Sequence, residues 1–173
     1  MSTDTRSGRT MGSMIVSMGV IVGILVVMAL VVQGRSGENI PSVDYTLDAA
    51  ALADEADFTV LAPEDLPDGW VGTSTNLSTG DPLSWTVGFA TPDDRHADYV
   101  IGDADTLVDS TLDSPEPDGT TSVAGTEWER YRHDDGRHAL VAEEGGATLI
   151  VSGGSGYGEL ETLAGSLAEE KAE

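Results

Sequence analysis

The sequence predicts an α+β protein: an N-terminal transmembrane helix, then a twisted antiparallel sheet of five or six strands with helices packed on one face. Three observations carry this expectation. Residues 11–32 hold no charged side chain. Leu83, Trp85, Val87 and Phe89 alternate with Ser84, Thr86, Gly88 and Ala90, the period of a half-buried strand. Leu160, Leu163, Ala164 and Leu167 recur at helical spacing, so one stripe faces a core.

Residues 1–10 form a short tail carrying Arg6 and Arg9 against Asp4. Of the residues in 11–32, twelve are Val, Ile or Leu. They favour insertion into a bilayer by about 4 to 7 kcal/mol before the cost of Gly and Ser. A helix is the form such a segment takes in lipid, because it satisfies its own backbone hydrogen bonds. A cleaved signal peptide is the rival reading. Its apolar region is usually shorter and ends in small residues, whereas this segment ends Val31-Val32-Gln33-Gly34. The basic flank precedes the segment, so the N-terminus is expected in the cytoplasm and the remainder outside the cell membrane. Gly19 and Gly23 form a G-x-x-x-G pattern that would let two such helices dimerise weakly.

Residues 33–42 read as a linker, broken by Gly34, Gly37 and Pro41. Ten extended residues reach at most about 35 Å. One extracytoplasmic domain is expected over 43–173. Within it, 46–56 reads as a helix rich in Ala and Leu, and 58–61 as a short apolar strand. A turn-rich passage over 63–69 leads into a strand over 70–77. The alternating strand at 83–90 turns through 91–95 into a hairpin partner at 98–102. A short helix over 105–112 and a Pro- and Gly-bearing loop over 114–120 follow. Three strands come next, at 126–132, 138–142 and 147–152. Asp134-Asp135-Gly136 and Glu144-Gly145-Gly146 provide their tight turns. The chain closes with the amphipathic helix at 158–169.

The 31 acidic residues against 8 basic ones give a net charge of −23. Such a surface repels phosphates, which excludes nucleic acid as a partner, and attracts cations. With no cysteine, the sequence has no disulfide framework and no thiolate metal site.

Chemistry is sparse. His133 and His138 flank a hairpin turn and, with Asp134, are weak candidates for a divalent metal. Catalytic zinc usually takes three protein ligands, so no metal and no cofactor is expected. The glycine-rich 153–158 lacks phosphate-loop spacing and a Walker lysine. Ser155 is not in a nucleophile elbow, because Tyr157 occupies the final glycine position. Trp70, Trp85 and Trp128 supply either the packed face of the sheet or a ligand or partner surface. Arg130 and Arg132 alternate on one strand, with neighbouring acids across the sheet as the expected partners.

The ordered motifs point to a family. They are Val43-Asp44-Tyr45, Leu66-Pro67-Asp68-Gly69-Trp70, and the run Trp85-Thr86-Val87-Gly88-Phe89-Ala90-Thr91-Pro92. Gly125-Thr126-Glu127-Trp128-Glu129-Arg130-Tyr131 follows, and Glu159-Leu160-Glu161-Thr162-Leu163-Ala164-Gly165-Ser166-Leu167 closes the chain. Over nearly its whole length the sequence resembles the DUF4245 family of actinobacterial membrane-anchored proteins. The resemblance implies topology and domain extent, and no activity.

The functional expectation is a single-pass, non-enzymatic interaction or accessory module at the cell envelope, with an envelope protein or cell-wall polymer as partner. The alternative is a carrier of a small ligand or lipid, held in an apolar groove between sheet and helix.

Overall fold

A computed structural model describes residues 18–19, 21–24, 42–103, 107–112 and 115–170. The chain divides into two units, Met1–Ile40 and Pro41–Glu173. In the first, Met18, Gly19, Ile21, Val22, Gly23 and Ile24 are helical and exposed. The rest of the expected membrane segment and nearly all of the linker lie outside the described residues. Among those described, no helix is long and apolar enough to cross a membrane.

The second unit is built on a seven-stranded antiparallel sheet. Helix α1 (Thr46–Glu55) comes first, then β1 (Leu61–Pro63), β2 (Val71–Ser78), β3 (Ser84–Ala90) and β4 (His96–Gly102). Helix α2 (Leu107–Thr111) leads to β5 (Glu116–Val123), β6 (Thr126–Arg132), β7 (His138–Glu144) and β8 (Ala147–Gly153). Helix α3 (Tyr157–Gly165) and β9 (Leu167–Glu169) complete the fold. The sheet order is β2-β3-β4-β8-β7-β6-β5, and β1 pairs separately with β9. Two meanders, β2 to β4 and β5 to β8, thus meet where β4 pairs antiparallel with β8.

One sheet face carries Trp85, Val87, Phe89, Tyr99, Ile101, Leu140, Leu149 and Val151, packed with Leu52 of α1 and Leu160 and Leu163 of α3. The expected helices therefore do cover this face. The other face also needs a cover, because β4, β7 and β8 are apolar on both sides. Val100, Ala139, Val141 and Ile150 pack there with Leu107 and Leu112, at and just beyond the ends of α2. The single helical face of the expectation becomes two unequal ones. Runs such as Leu149-Ile150-Val151 are the signature of a strand buried on both sides, which alternation alone does not detect.

The strand count rises from five or six to seven because 116–123 is a strand and not a loop. Pro117 and Gly119 (φ +99°) are tolerated because β5 is an edge strand with a register shift between Pro117 and Thr120. The last helix stops at Gly165, and its stripe residue Leu167 belongs to β9. There Leu167 faces Pro63, Ala168 faces Ala62 and Glu169 faces Leu61, while Glu170 N–H donates to Val60 O at 2.9 Å. An unpaired β1 would leave backbone groups unsatisfied, and the chain end supplies their partners. The first strand is accordingly displaced from 58–61 to Leu61–Pro63.

Candidate functional site

Arg130, Arg132 and His138 converge at one end of the sheet, beside the start of α3. Arg132 faces His138 across β6 and β7, and His138 faces Gly153 across β7 and β8. A Cβ at Gly153 would lie 2.3 Å from His96 O, so only glycine lets β8 close on β4 there. The chain then turns through Gly154, Ser155 and Gly156 into Tyr157, the first residue of α3.

Tyr157 is the hub of this cluster. Its ring meets the His138 ring edge-on, with centroids 4.5 Å apart, and Arg130 Cζ sits 4.7 Å from its centroid. The Tyr157 hydroxyl lies 2.8 Å from Asp118 Oδ2 and 3.0 Å from Tyr131 O, both acceptors. Burial and then the Asp118 carboxylate push its ionisation up to about 12, so it remains a neutral donor. Arg130 Nη2 pairs with Glu161 Oε1, to which Thr121 Oγ1 also donates at 3.1 Å. The Arg130 guanidinium, then the Thr121 hydroxyl, hold the Glu161 carboxyl below its ordinary value against the opposing effect of burial. The expectation that Arg130 pairs across the sheet is corrected here. Its partner lies on α3, four residues after Tyr157 and therefore on the same helix face.

This cluster clasps the edge strand β5 to α3 through Asp118 and Thr121. Arg130 is committed to Glu161 and the Tyr157 ring. Arg132 is exposed. Sequence reasoning missed Tyr157, Asp118 and Glu161; the available signal was the i, i+4 pair Tyr157 and Glu161 at the head of a helix.

The metal candidates do not come together. His133 is buried within the β6–β7 turn, where its N–H donates to Arg137 O at 2.9 Å. His138 directs Nδ1 toward Ser155 O at 3.1 Å, and Asp134 is exposed on the turn. Among the described residues, no three His, Asp or Glu side chains are grouped to hold an ion.

Of the three tryptophans, two belong to the packed face of the sheet. Trp85 and Trp128 are 0% and 1% exposed, and they are core. Trp85 Nε1 donates to Thr75 Oγ1 at 2.9 Å, and that hydroxyl donates to Asp48 Oδ2 at 2.6 Å, tying α1 to the sheet. Trp70 is half-buried, edge-on to Phe89.

Ser74, His96 and Asp98 meet on the second sheet face above Gly88, where a Cβ would stand 2.5 Å from Ser74 Oγ. His96 Nε2 lies 2.8 Å from Asp98 Oδ1, and no hydrogen bond joins Ser74 to His96 among the described residues. These are hydrolase residue types. The strand amides beneath them are engaged in the ladder, however, and offer no donor pair to an oxyanion.

An open concave surface lies beside α2 on the same face. A hollow of about 470 Å³ has Val108, Tyr131 and Val141 among its lining and Glu127, Glu129 and Glu143 around them. Tyr131 Oη donates to Glu129 Oε2 at 2.6 Å, and this bond is the largest cause of the phenol's raised ionisation. A second hollow of about 350 Å³ adjoins it through Glu143 and adds Asp103 and Glu144. Carboxylates around an apolar floor suit a cation on an aliphatic stem.

Fold and surface together define an antiparallel-sheet domain with a filled helix–sheet interface and carboxylate-lined exterior hollows. The chain belongs to the DUF4245 family, described as a protein of unknown function, whose sequence profile matches residues 6–167. No curated protein and no solved structure matches it.

Proposed function

We propose that this protein is a single-pass, membrane-tethered interaction module. It holds residues 43–173 outside the cell membrane and recruits a cationic partner in the envelope without catalysis. The observation that carries this reading is the hollow formed by Val108, Tyr131 and Val141 among Glu127, Glu129 and Glu143. A module recognising a cation needs this pairing of apolar floor and carboxylate rim on its outside. The uncharged 11–32 with Arg6 and Arg9 before it supports the tether and its direction. Paired Gly19 and Gly23 would allow two tethers to associate weakly.

The carrier reading loses its support at the interface of α3 with the sheet. Leu160 and Leu163 are 0% exposed there, as are Leu140, Leu149 and Val151 of the strands beneath, so the proposed groove is filled.

Crosslinking in intact cells, with identification of captured proteins, tests the recruitment. The expected result is a basic envelope protein whose capture falls with added salt and with Glu127→Gln, Glu129→Gln and Glu143→Gln combined. Capture of random abundant neighbours alone overturns it. Protease added to intact cells tests the tether. Degradation of the 43–173 domain is expected, and its survival until lysis refutes the topology.

A further inference from the structure

The two edges of the seven-stranded sheet are treated differently. The β5 edge carries Glu116, Pro117, Asp118 and a register shift, the usual devices that keep a strand from pairing further. The β2 edge, Val71-Gly72-Thr73-Ser74-Thr75-Asn76-Leu77-Ser78, carries no charge and no proline. This is an eight-residue neutral strand in a chain of net charge −23.

The hydrogen-bond pattern of β3 with β4 fixes which groups of β2 point outward. Thr91 N–H donates to Arg95 O and Asp103 N–H donates to Leu83 O. The odd-numbered residues of β3 therefore turn their N–H and C=O toward β4, and the even-numbered ones turn toward β2. Ser74, Asn76 and Ser78 stand opposite Gly88, Thr86 and Ser84, so their backbone groups face β3. Gly72, Thr75 and Leu77 stand opposite Phe89, Val87 and Trp85, so theirs face away from the sheet. The Gly72 carbonyl accepts Val43 N–H at 2.8 Å, so the chain's own entry segment already occupies the first outward position. Among the described residues, nothing bonds the backbone of Thr75 or Leu77.

Acids surround this neutral edge. Asp48 accepts from the Thr75 hydroxyl, Asp44 lies next to Val43, and Asp68 and Asp81 stand just before and after the strand. We infer that the β2 edge is a strand-addition site for an extended segment of a partner protein whose lysine or arginine residues flank a neutral, alternating core. Main-chain bonds to Thr75 and Leu77 would continue the ladder that Val43 begins, and the flanking cations would meet the acids. A second copy of this chain fits poorly, because two bodies of that charge repel. The inference rests on the recruitment of a cationic partner proposed above, and it adds a second contact for that partner, apart from the hollow.

The test uses the full-length chain in a zwitterionic detergent. The probe is a peptide of three Thr-Val repeats between lysine pairs, with a glutamate-flanked version as control. Amide hydrogen exchange read by NMR is expected to show Thr75 and Leu77 exchanging freely and Asn76 protected before addition. The lysine-flanked peptide is expected to slow Thr75 and Leu77 at least about tenfold, and the control is not. Asn76→Lys with Ser78→Lys, both on the exposed face, should weaken binding about tenfold or more, while Ser122→Lys on β5 should not. The exchange pattern of the unaltered protein keeps the test valid should the double variant fold poorly. Peptide protection confined to the Glu127, Glu129 and Glu143 hollow overturns the edge site and leaves the recruitment reading standing. So does an edge already protected in a concentration-dependent dimer. Absence of peptide binding overturns the edge site, and crosslinking in cells then decides the broader reading.

Discussion

Tyr99 lies on the central strand β4 with no exposed surface, and its hydroxyl donates to Leu61 O at 2.7 Å. That bond fastens the small β1–β9 sheet to the large one. Tyr99→Phe should lower stability by about 0.5–1.5 kcal/mol in urea denaturation. Burial, then the Glu144 charge, push the Tyr99 ionisation well above 10. The unfolded chain releases these protons near 10 while the folded one keeps them, so stability should fall as pH rises above 10. Tyr157, held up to about 12, adds to that loss. Tyr99→Phe should flatten the alkaline decline. Glu161 acts in the opposite sense. Its folded value lies below 4.5, so its contribution is complete above that pH and is lost as pH falls through the folded value. Glu161→Gln should flatten the acid limb of a stability profile measured by denaturant. The cation at Arg130 was legible as an anomaly in a strongly acidic chain. Its carboxylate was not, because Glu161 lies 31 residues away on a helix whose facing side the sequence does not state. Trp85 and Trp128 were legible as large apolar groups, yet their side of the sheet depends on register.

The element that most depends on its partner is β1, three residues long and paired with β9 alone. Ending the chain at Ser166 removes that partner. Amides of 60–64 should then exchange much faster by mass spectrometry, while the seven-stranded sheet keeps its protection, at a global cost of about 1–3 kcal/mol. The hairpins β3–β4, β6–β7 and β7–β8 were readable because alternation and short glycine- or aspartate-bearing turns are local signals. Strands β5 and β9 were not. A proline-bearing edge resembles a loop until its neighbour is known, and Leu167 suits a helix or a strand equally by hydrophobicity. The start and direction of α3 were legible; its end was set by pairing to a segment about a hundred residues earlier in the chain.

At the scale of the whole protein, charge and topology set the behaviour. With a net charge of −23, compactness is opposed by self-repulsion that added salt screens. The melting temperature should therefore rise from low salt to molar sodium chloride, by roughly 4 °C for each kcal/mol of repulsion removed. A variant with eight surface acids changed to their amides should melt higher at low salt and respond less to salt. The sheet order has its own consequence. Helix α1 packs on β2 and β3, and α3 packs on β7, β8 and β5, so each meander carries its own helix. Strand pairing joins the meanders through β4 with β8 and through β1 with β9. Strand β4 ends at Gly102 and α2 begins at Leu107, so severing the backbone between them leaves every described ladder intact. Fragments divided there should recombine on mixing and recover the native near-ultraviolet spectrum, with Trp85 in one piece and Trp128 in the other. Halves that recombine in this way would serve as a reporter, their reunion signalling that two tagged neighbours have met.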